Sequence, residues 1–306
     1  MTTYLRSWVL AGGLGVGLVL ILRAYVLTSS YVGSDSMRGT LLTGDVVLAV
    51  KLSGGETLFT GRRIHRDDIV ILAPIRGMKG EEQNGSSSER GLSERRHSGK
   101  RLVKRVVGVP GDTVRAVGGD VFVGGSPSEP CEMQRAWIVR ARGALDRLGL
   151  YRLGITEILS REENTYLIKH ATRAVAHEIT SWPGVEAVTP CPDCHAGRGT
   201  WYLPRAGECV RVGDAPAAAE PLSEVRLPAQ RQEGGRGETH GFAPGEGRCF
   251  SEDYYFVVGD NRDGSTDSRL WGPVPEAQME GIARMVYFSW GPIQNAPRIG
   301  RFLKRL

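Results

Sequence analysis

The 306-residue sequence is poor in aromatics, at 7%, and neither sign of charge dominates it: 39 basic residues stand against 34 acidic ones, for a net charge of +5. So small a surplus does not argue for a nucleic-acid partner, although it suits work at an anionic membrane surface. Cysteine is absent from the first 130 residues, no internal repeat is visible, and no second long hydrophobic run follows the one near the N-terminus. The stretch 282–290 is too short for one, carries Arg284, and reads as a strand. Six histidines are present (His65, His97, His170, His177, His195 and His240), but none lies in a recognisable catalytic context, which argues against a histidine-based triad. What abounds is glycine: 41 residues, which with so few aromatics point to many turns and a β-rich fold rather than a helical bundle. The length allows one large or two modest domains with a sizeable core.

The single hydrophobic segment runs uncharged over 8–22 and resumes after Arg23 with Ala24-Tyr25-Val26-Leu27. Taken as a unit, 8–27 is about twenty residues, enough for a helix to span a bilayer's hydrocarbon core. Trp8 and Tyr25 sit where interfacial aromatics belong, and Arg23 can snorkel. A cleaved signal peptide is the competing reading, but no A-x-A-like site follows. The expectation is a transmembrane anchor over 8–27 behind a short tail, 1–7.

Beyond it, short β-like runs occur at 45–52, 68–75, 102–109 and 113–117. The last, with Gly118-Gly119-Asp120 and 121–123, reads as a hairpin. Residues 76–100 are rich in Gly, Ser, Glu and Arg and read as a flexible surface loop. The region 125–250 differs in texture: 134–150 and 165–179 have helical spacing, and 234–247 is loop-like. The β pattern returns at 253–258 and 281–290. The cluster Arg298, Arg301, Lys304 and Arg305 reads as a solvated basic tail over 293–306.

Three motifs carry chemistry. Ser34-Asp35-Ser36-Met37-Arg38-Gly39-Thr40-Leu41 follows the hydrophobic segment directly. Lys104-Arg105-Val106-Val107-Gly108-Val109-Pro110-Gly111-Asp112 comes next, and on a strand Lys104 shares a face with Leu102 and Val106. Burial there would lower the lysine pKa and make it a usable general base, although a strand-edge lysine with its head in water is commoner. The third block runs from Gly259-Asp260-Asn261-Arg262 through Ser265, Asp267 and Arg269 to Val274. It is rich in acids like a calcium loop, but the offsets fail: with Gly264 as the invariant glycine, the first and last ligand positions fall on Gly259 and Leu270.

In order and spacing the three blocks resemble the type I signal peptidases, serine–lysine dyad proteases with the patterns S-x-S-M-x-P-T-L, K-R-x-x-G-x-P-G-D and G-D-N-R-x-x-S-x-D-S-R. The resemblance covers roughly 8–52, 100–123 and 253–290. It implies a mainly β fold: an N-terminal transmembrane helix, then an antiparallel β catalytic domain carrying a mixed α/β insertion. The catalytic core would occupy 28–124 and 251–292, with the variable insertion at 125–250. Ser36 corresponds to the nucleophile and Lys104 to the general base. Ser34 matches a hydroxyl assisting the oxyanion hole, and Ser265 the serine that orients the lysine amine. Asp267 and Arg269 match a bracing ion pair, and Asp260, Asn261 and Arg262 the turn beneath the site. Arg105 also matches, on the face away from Lys104. Two departures stand beside the nucleophile: Gly39 replaces a usual proline, loosening the backbone, and Asp35 replaces a small residue. On an extended segment Asp35 would point away from Ser34 and Ser36.

The implied activity is cleavage of signal peptides from exported preproteins by a single-pass protein of the cytoplasmic membrane. Its catalytic domain would lie on the extracytoplasmic side, near the export machinery, with no metal, cofactor or nucleic acid involved. A specialised maturation peptidase of the same family and a catalytically silent binding protein are the alternatives. Of five cysteines (Cys131, Cys191, Cys194, Cys209 and Cys249), Cys191-Pro192-Asp193-Cys194-His195 fits c-type haem attachment. A local disulfide, or zinc completed by Cys209 or Cys249, fits it better.

Overall fold

The computed structural model describes residues 2–57, 61–74, 101–117, 119–128, 133–162, 164–191, 194, 197–211, 225–226, 247–291 and 295–306. The expected loop 76–100 and most of 234–247 lie outside them. A helix α1, Thr2–Tyr25, opens the chain. It starts within the expected tail and stops short of 27, because Leu27 already belongs to a strand. Among the described residues no helix is long and apolar enough to cross a membrane. The side chains of 1–11, 18 and 19 lie outside the described set, so the expected anchor over 8–27 stands on the sequence.

The strands follow in chain order. Those of the first part are β1 (Leu27–Tyr31), β2 (Asp45–Ser53), β3 (Ile69–Leu72), β4 (Leu102–Gly108), β5 (Thr113–Val117) and β6 (Asp120–Val123). The middle region contributes β7 (Arg135–Ala141), β8 (Ile158–Glu162), β9 (Thr165–Ala171), β10 (Val185–Pro190), β11 (Gly199–Tyr202), β12 (Cys209–Arg211) and β13 (Gly247–Cys249). The last part adds β14 (Tyr254–Val258) and β15 (Met279–Gly291). The main sheet has the order β1-β2-β15-β3-β4-β14, with antiparallel pairing throughout. First and last parts of the chain therefore interleave: β15 lies between β2 and β3, and β14 pairs with β4. β5 and β6 form the expected hairpin, extended by β11.

One core gathers Met37, Leu41, Val47, Ala49, Ile69, Ile71 and Val286. A second gathers Val70, Leu72, Val106, Val257 and Ile282. Ile71 and Val70 lie in different clusters, as period-2 side chains on a strand covered on both faces must.

The middle region corrects two expectations. Residues 134–150 and 165–179 are not helices. Each is a strand leading toward a short helix: β7 then α2 (Arg147–Arg152), and β9 then α3 (Arg173–Thr180). The reason is packing: Trp137, Val139 and Ala141 alternate inward from β7, and β7 lies between β9 and β10 in a four-stranded antiparallel sheet. Only after the capping residues Asp146 and Thr172, whose side chains accept from Gly149 N and Val175 N, does the chain turn helical. The C-x-x-C cysteines form a Cys191–Cys194 disulfide, and Cys209–Cys249 bridges β12 and β13. The bridges take up the sulfurs that haem or zinc would have used.

Candidate active site

Lys104 sits in the middle of β4 and is 2% exposed. Its Nζ donates to Ser265 Oγ at 2.9 Å. Burial pushes the amine down to about 8; Asp267 and Asp260 oppose that shift and Arg269 assists it.

Ser36 lies in a single 3-10 turn, Asp35–Met37, rather than in the extended segment expected. Two bonds from the third motif pin this turn: Asn261 N donates to Ser36 O at 3.0 Å, and Asn261 Nδ2 to Asp35 O at 3.0 Å. Gly259 makes the approach possible. A Cβ there would fall 2.3 Å from Ser265 Oγ and 2.4 Å from Ser36 O, so a larger residue would part the two segments. Ser265 thus touches Lys104 on one side and packs beside the Ser36 backbone on the other. The Ser34 and Ser36 hydroxyls lie 3.3 Å apart, with Ser36 buried and Ser34 exposed.

The two departures resolve structurally. Asp35 accepts from Thr43 Oγ1 at 2.7 Å at the surface, and it is not among the charges that shift Lys104. Gly39 has φ +113°, a left-handed conformation closed to proline, whose ring fixes φ near −65°. The backbone here takes a path that the usual proline could not follow.

Behind the lysine, Asp267 and Arg269 form a buried bidentate pair, Nε to Oδ1 at 2.8 Å and Nη2 to Oδ2 at 2.8 Å. Burial alone would raise the Asp267 pKa, but the Arg269 charge and hydrogen bonds, with Lys104, hold it at about 2. Gly259 N also donates to Asp267 Oδ2 at 3.0 Å, which ties the pair to the turn. Arg262 is buried beneath, and its carbonyl accepts from Arg269 Nη2.

The motifs alone give Thr40 no part and Arg105 no partner. Arg105 Nε and Nη2 grip the two oxygens of Asp260, each at 2.8 Å, and Thr40 Oγ1 donates to Asp260 Oδ2 at 2.6 Å. One residue from each motif meets at this point. The available signal was an arginine inside a strand with apolar neighbours, which requires a buried acid. The middle region also reaches the site: Gln134 N donates to Asp260 O, Arg262 N to Gln134 O, and Ala136 N to the Asp263 carboxylate. His170 pairs with Glu157 in that region, and His177 lies on α3.

The sequence matches the family described as signal peptidase, peptidase S26, over residues 5–165 and 208–290, well over half of the chain. The chain belongs to this signal peptidase family. The matched segments contain all three motif blocks and leave out 166–207, inside the middle region. A signal peptidase I of Leptolyngbya laminosa is 33% identical over 117 residues, covering 38% of this chain and 49% of that protein, about half its length. A signal peptidase I of Pseudomonas aeruginosa is 26% identical over 302 residues, covering 93% of this chain and 73% of that protein. The crystal structure of a signal peptidase I from Enterococcus faecalis V583 is 17% identical and covers 72% of this chain and 97% of its own, with a TM-score of 0.24.

Proposed function

We propose that this protein is a membrane-bound serine endopeptidase that removes signal peptides from preproteins by a Ser36–Lys104 mechanism. The observation that carries the reading is the environment of Lys104. Its amine is buried, forms no ion pair among the described residues, and is held by Ser265. The nearby Asp267, which would favour the charged form, is already paired with Arg269. A lysine so placed holds a neutral fraction near neutral pH and can act as a base.

In the proposed reaction Lys104 takes the Ser36 proton as Oγ attacks the scissile carbonyl. The Ser36 N–H and the Ser34 hydroxyl stabilise the oxyanion, each donor contributing about 3 kcal/mol in comparable sites. Lys104 then protonates the leaving amine, and water releases the acyl group, as in serine–lysine variants of the triad. Attachment to a bilayer through α1 belongs to the same reading, with the catalytic domain on the extracytoplasmic side near the export machinery. It is supported by the charge-free run 8–22 and by Leu14, Val16, Leu20, Ile21 and Tyr25, which are 58–74% exposed. So apolar a helical surface calls for lipid or a partner.

Cleavage of a preprotein by wild type, Ser36→Ala and Lys104→Ala tests the proposal. Wild type is expected to cleave, with each variant at least a thousandfold slower, as when one member of a catalytic unit is removed. Equal cleavage by all three excludes the dyad, and an inert wild type favours a silent binding protein.

A further inference from the structure

The basic C-terminal segment, expected to be solvated, is docked against the loop that follows Ser36. Arg301 is the centre of the contact. Its Nη2 donates to Asp45 Oδ2 at 2.5 Å and to Thr40 O at 3.0 Å, while Nε donates to Asp45 Oδ1 at 3.1 Å. The Asp45 carboxylate is fully buried and also accepts from Ser289 Oγ at 2.6 Å and Leu42 N at 2.9 Å. Arg298 adds a bond to Thr43 O at 3.0 Å, and its own N–H reaches Ser289 O at 3.0 Å. Residues 40–45 are therefore fastened from behind by two arginines of the tail.

The contact lies close to the chemistry. Thr40 is held through its hydroxyl by Asp260 and through its carbonyl by Arg301, from two different segments. Between Thr40 and Ser36 lies Gly39, at a φ that only a permissive residue adopts readily. Backbone bonds span the glycine: Thr40 N and Leu41 N donate to Met37 O at 3.2 and 2.9 Å, which couples Thr40 to the Ser36 turn. The Ser36 turn is thus held on one side by Asn261 and on the other through Met37 O by the Thr40 segment, whose carbonyl Arg301 fixes.

We propose that Arg301, through its fork onto Asp45 and Thr40, is a positioning residue that helps hold the Ser36 turn against Lys104 through the Thr40–Met37 link. The catalytic half of this statement rests on the proposed Ser36–Lys104 reading; the clamp itself does not. A planar fork suits the task because it holds a carboxylate and a carbonyl at once, which a lysine ammonium does less well.

The test uses the full-length protein in detergent, comparing wild type, Arg301→Gln and Arg301→Lys by peptide turnover, thermal melting, and hydrogen exchange of the amides of residues 40–45. Arg301→Gln is expected to lower kcat roughly tenfold with KM within about twofold, as for a misplaced reacting group. Exchange at Leu42 and Asp45 should quicken by about tenfold. Arg301→Lys should recover part of both losses, and it decides by the same readouts should Arg301→Gln not fold. Unchanged exchange overturns the clamp, whatever the activity. A kcat loss that vanishes once corrected for the folded fraction overturns the positioning role. Full cleavage by Ser36→Ala, measured alongside, would refute the dyad and leave the exchange result to decide the clamp.

Discussion

Lys104 is where stability and the proposed chemistry conflict. A buried ammonium lacking an ion pair is costly, and the fold responds by lowering its pKa to about 8 from 10.5. The sign follows from linkage. Below pH 8 the amine is charged in both states, and the folded protein bears the full cost. Between 8 and 10.5 the unfolded chain binds a proton that the folded one does not, so stability rises with pH there. Lys104→Met should therefore abolish cleavage yet raise unfolding free energy at pH 7 by on the order of 3 kcal/mol. That advantage should shrink as pH climbs from 8 toward 10.5. Urea unfolding of both proteins at pH 7 and 10 measures it, and equal stability at pH 7 would contradict the burial. In wild type, kcat/KM should rise with pH along a limb near 8, as the neutral amine accumulates. Asp267, held at about 2, behaves oppositely: its contribution is present above the ordinary carboxylate pKa of 3.8 and is lost as pH falls toward 2.

Among the elements, the main sheet needs no covalent support, since its strands bury residues on both faces. β12 and β13 are different: two three-residue strands joined across a sequence separation of 40 by Cys209–Cys249. A pair this short has little packing of its own and depends on the bridge. Replacing both cysteines by serine should lower stability by about 4 kcal/mol on the chain-entropy account. The same change at Cys191 and Cys194, only three apart, should cost less because the closed loop is short. Unfolding curves of the two double variants under oxidising conditions would show the order, and a larger loss at 191–194 would contradict it.

At the scale of the molecule, the site depends on interleaving. Ser36 follows β1, Lys104 comes from β4, and Ser265, Asp267 and Arg269 follow β14; the β4–β14 pairing and the Arg105–Asp260 pair hold them in register. The proposed role of α1 is to keep this unit beside a tethered substrate. Deleting residues 2–25 should leave turnover of a short soluble peptide within about threefold, while cleavage of a membrane-embedded preprotein falls at least tenfold, through lost effective concentration. Equal losses on both substrates would assign α1 a structural role instead.

What the sequence by itself determined was the family, through three motif blocks, and most of the core strands. β5 matches its expected bounds, 113–117, and β2, β3, β4, β14 and β15 overlap theirs, because alternation and turn residues are local signals. The Lys104–Ser265 contact and the Asp267–Arg269 pair were legible from the three blocks, through the resemblance they carry. Tertiary structure decided what depends on partners far away in the chain. Helical spacing at 134–150 and 165–179 gave way to sheet pairing among β7, β9 and β10, since burial against neighbours outweighs weak propensity. No local pattern could show that Thr40, Arg105 and Asp260 meet, or that Arg301 reaches back to Asp45 across 256 residues. A charged side chain's partner is set by where the chain returns, and composition near a terminus carries no trace of it.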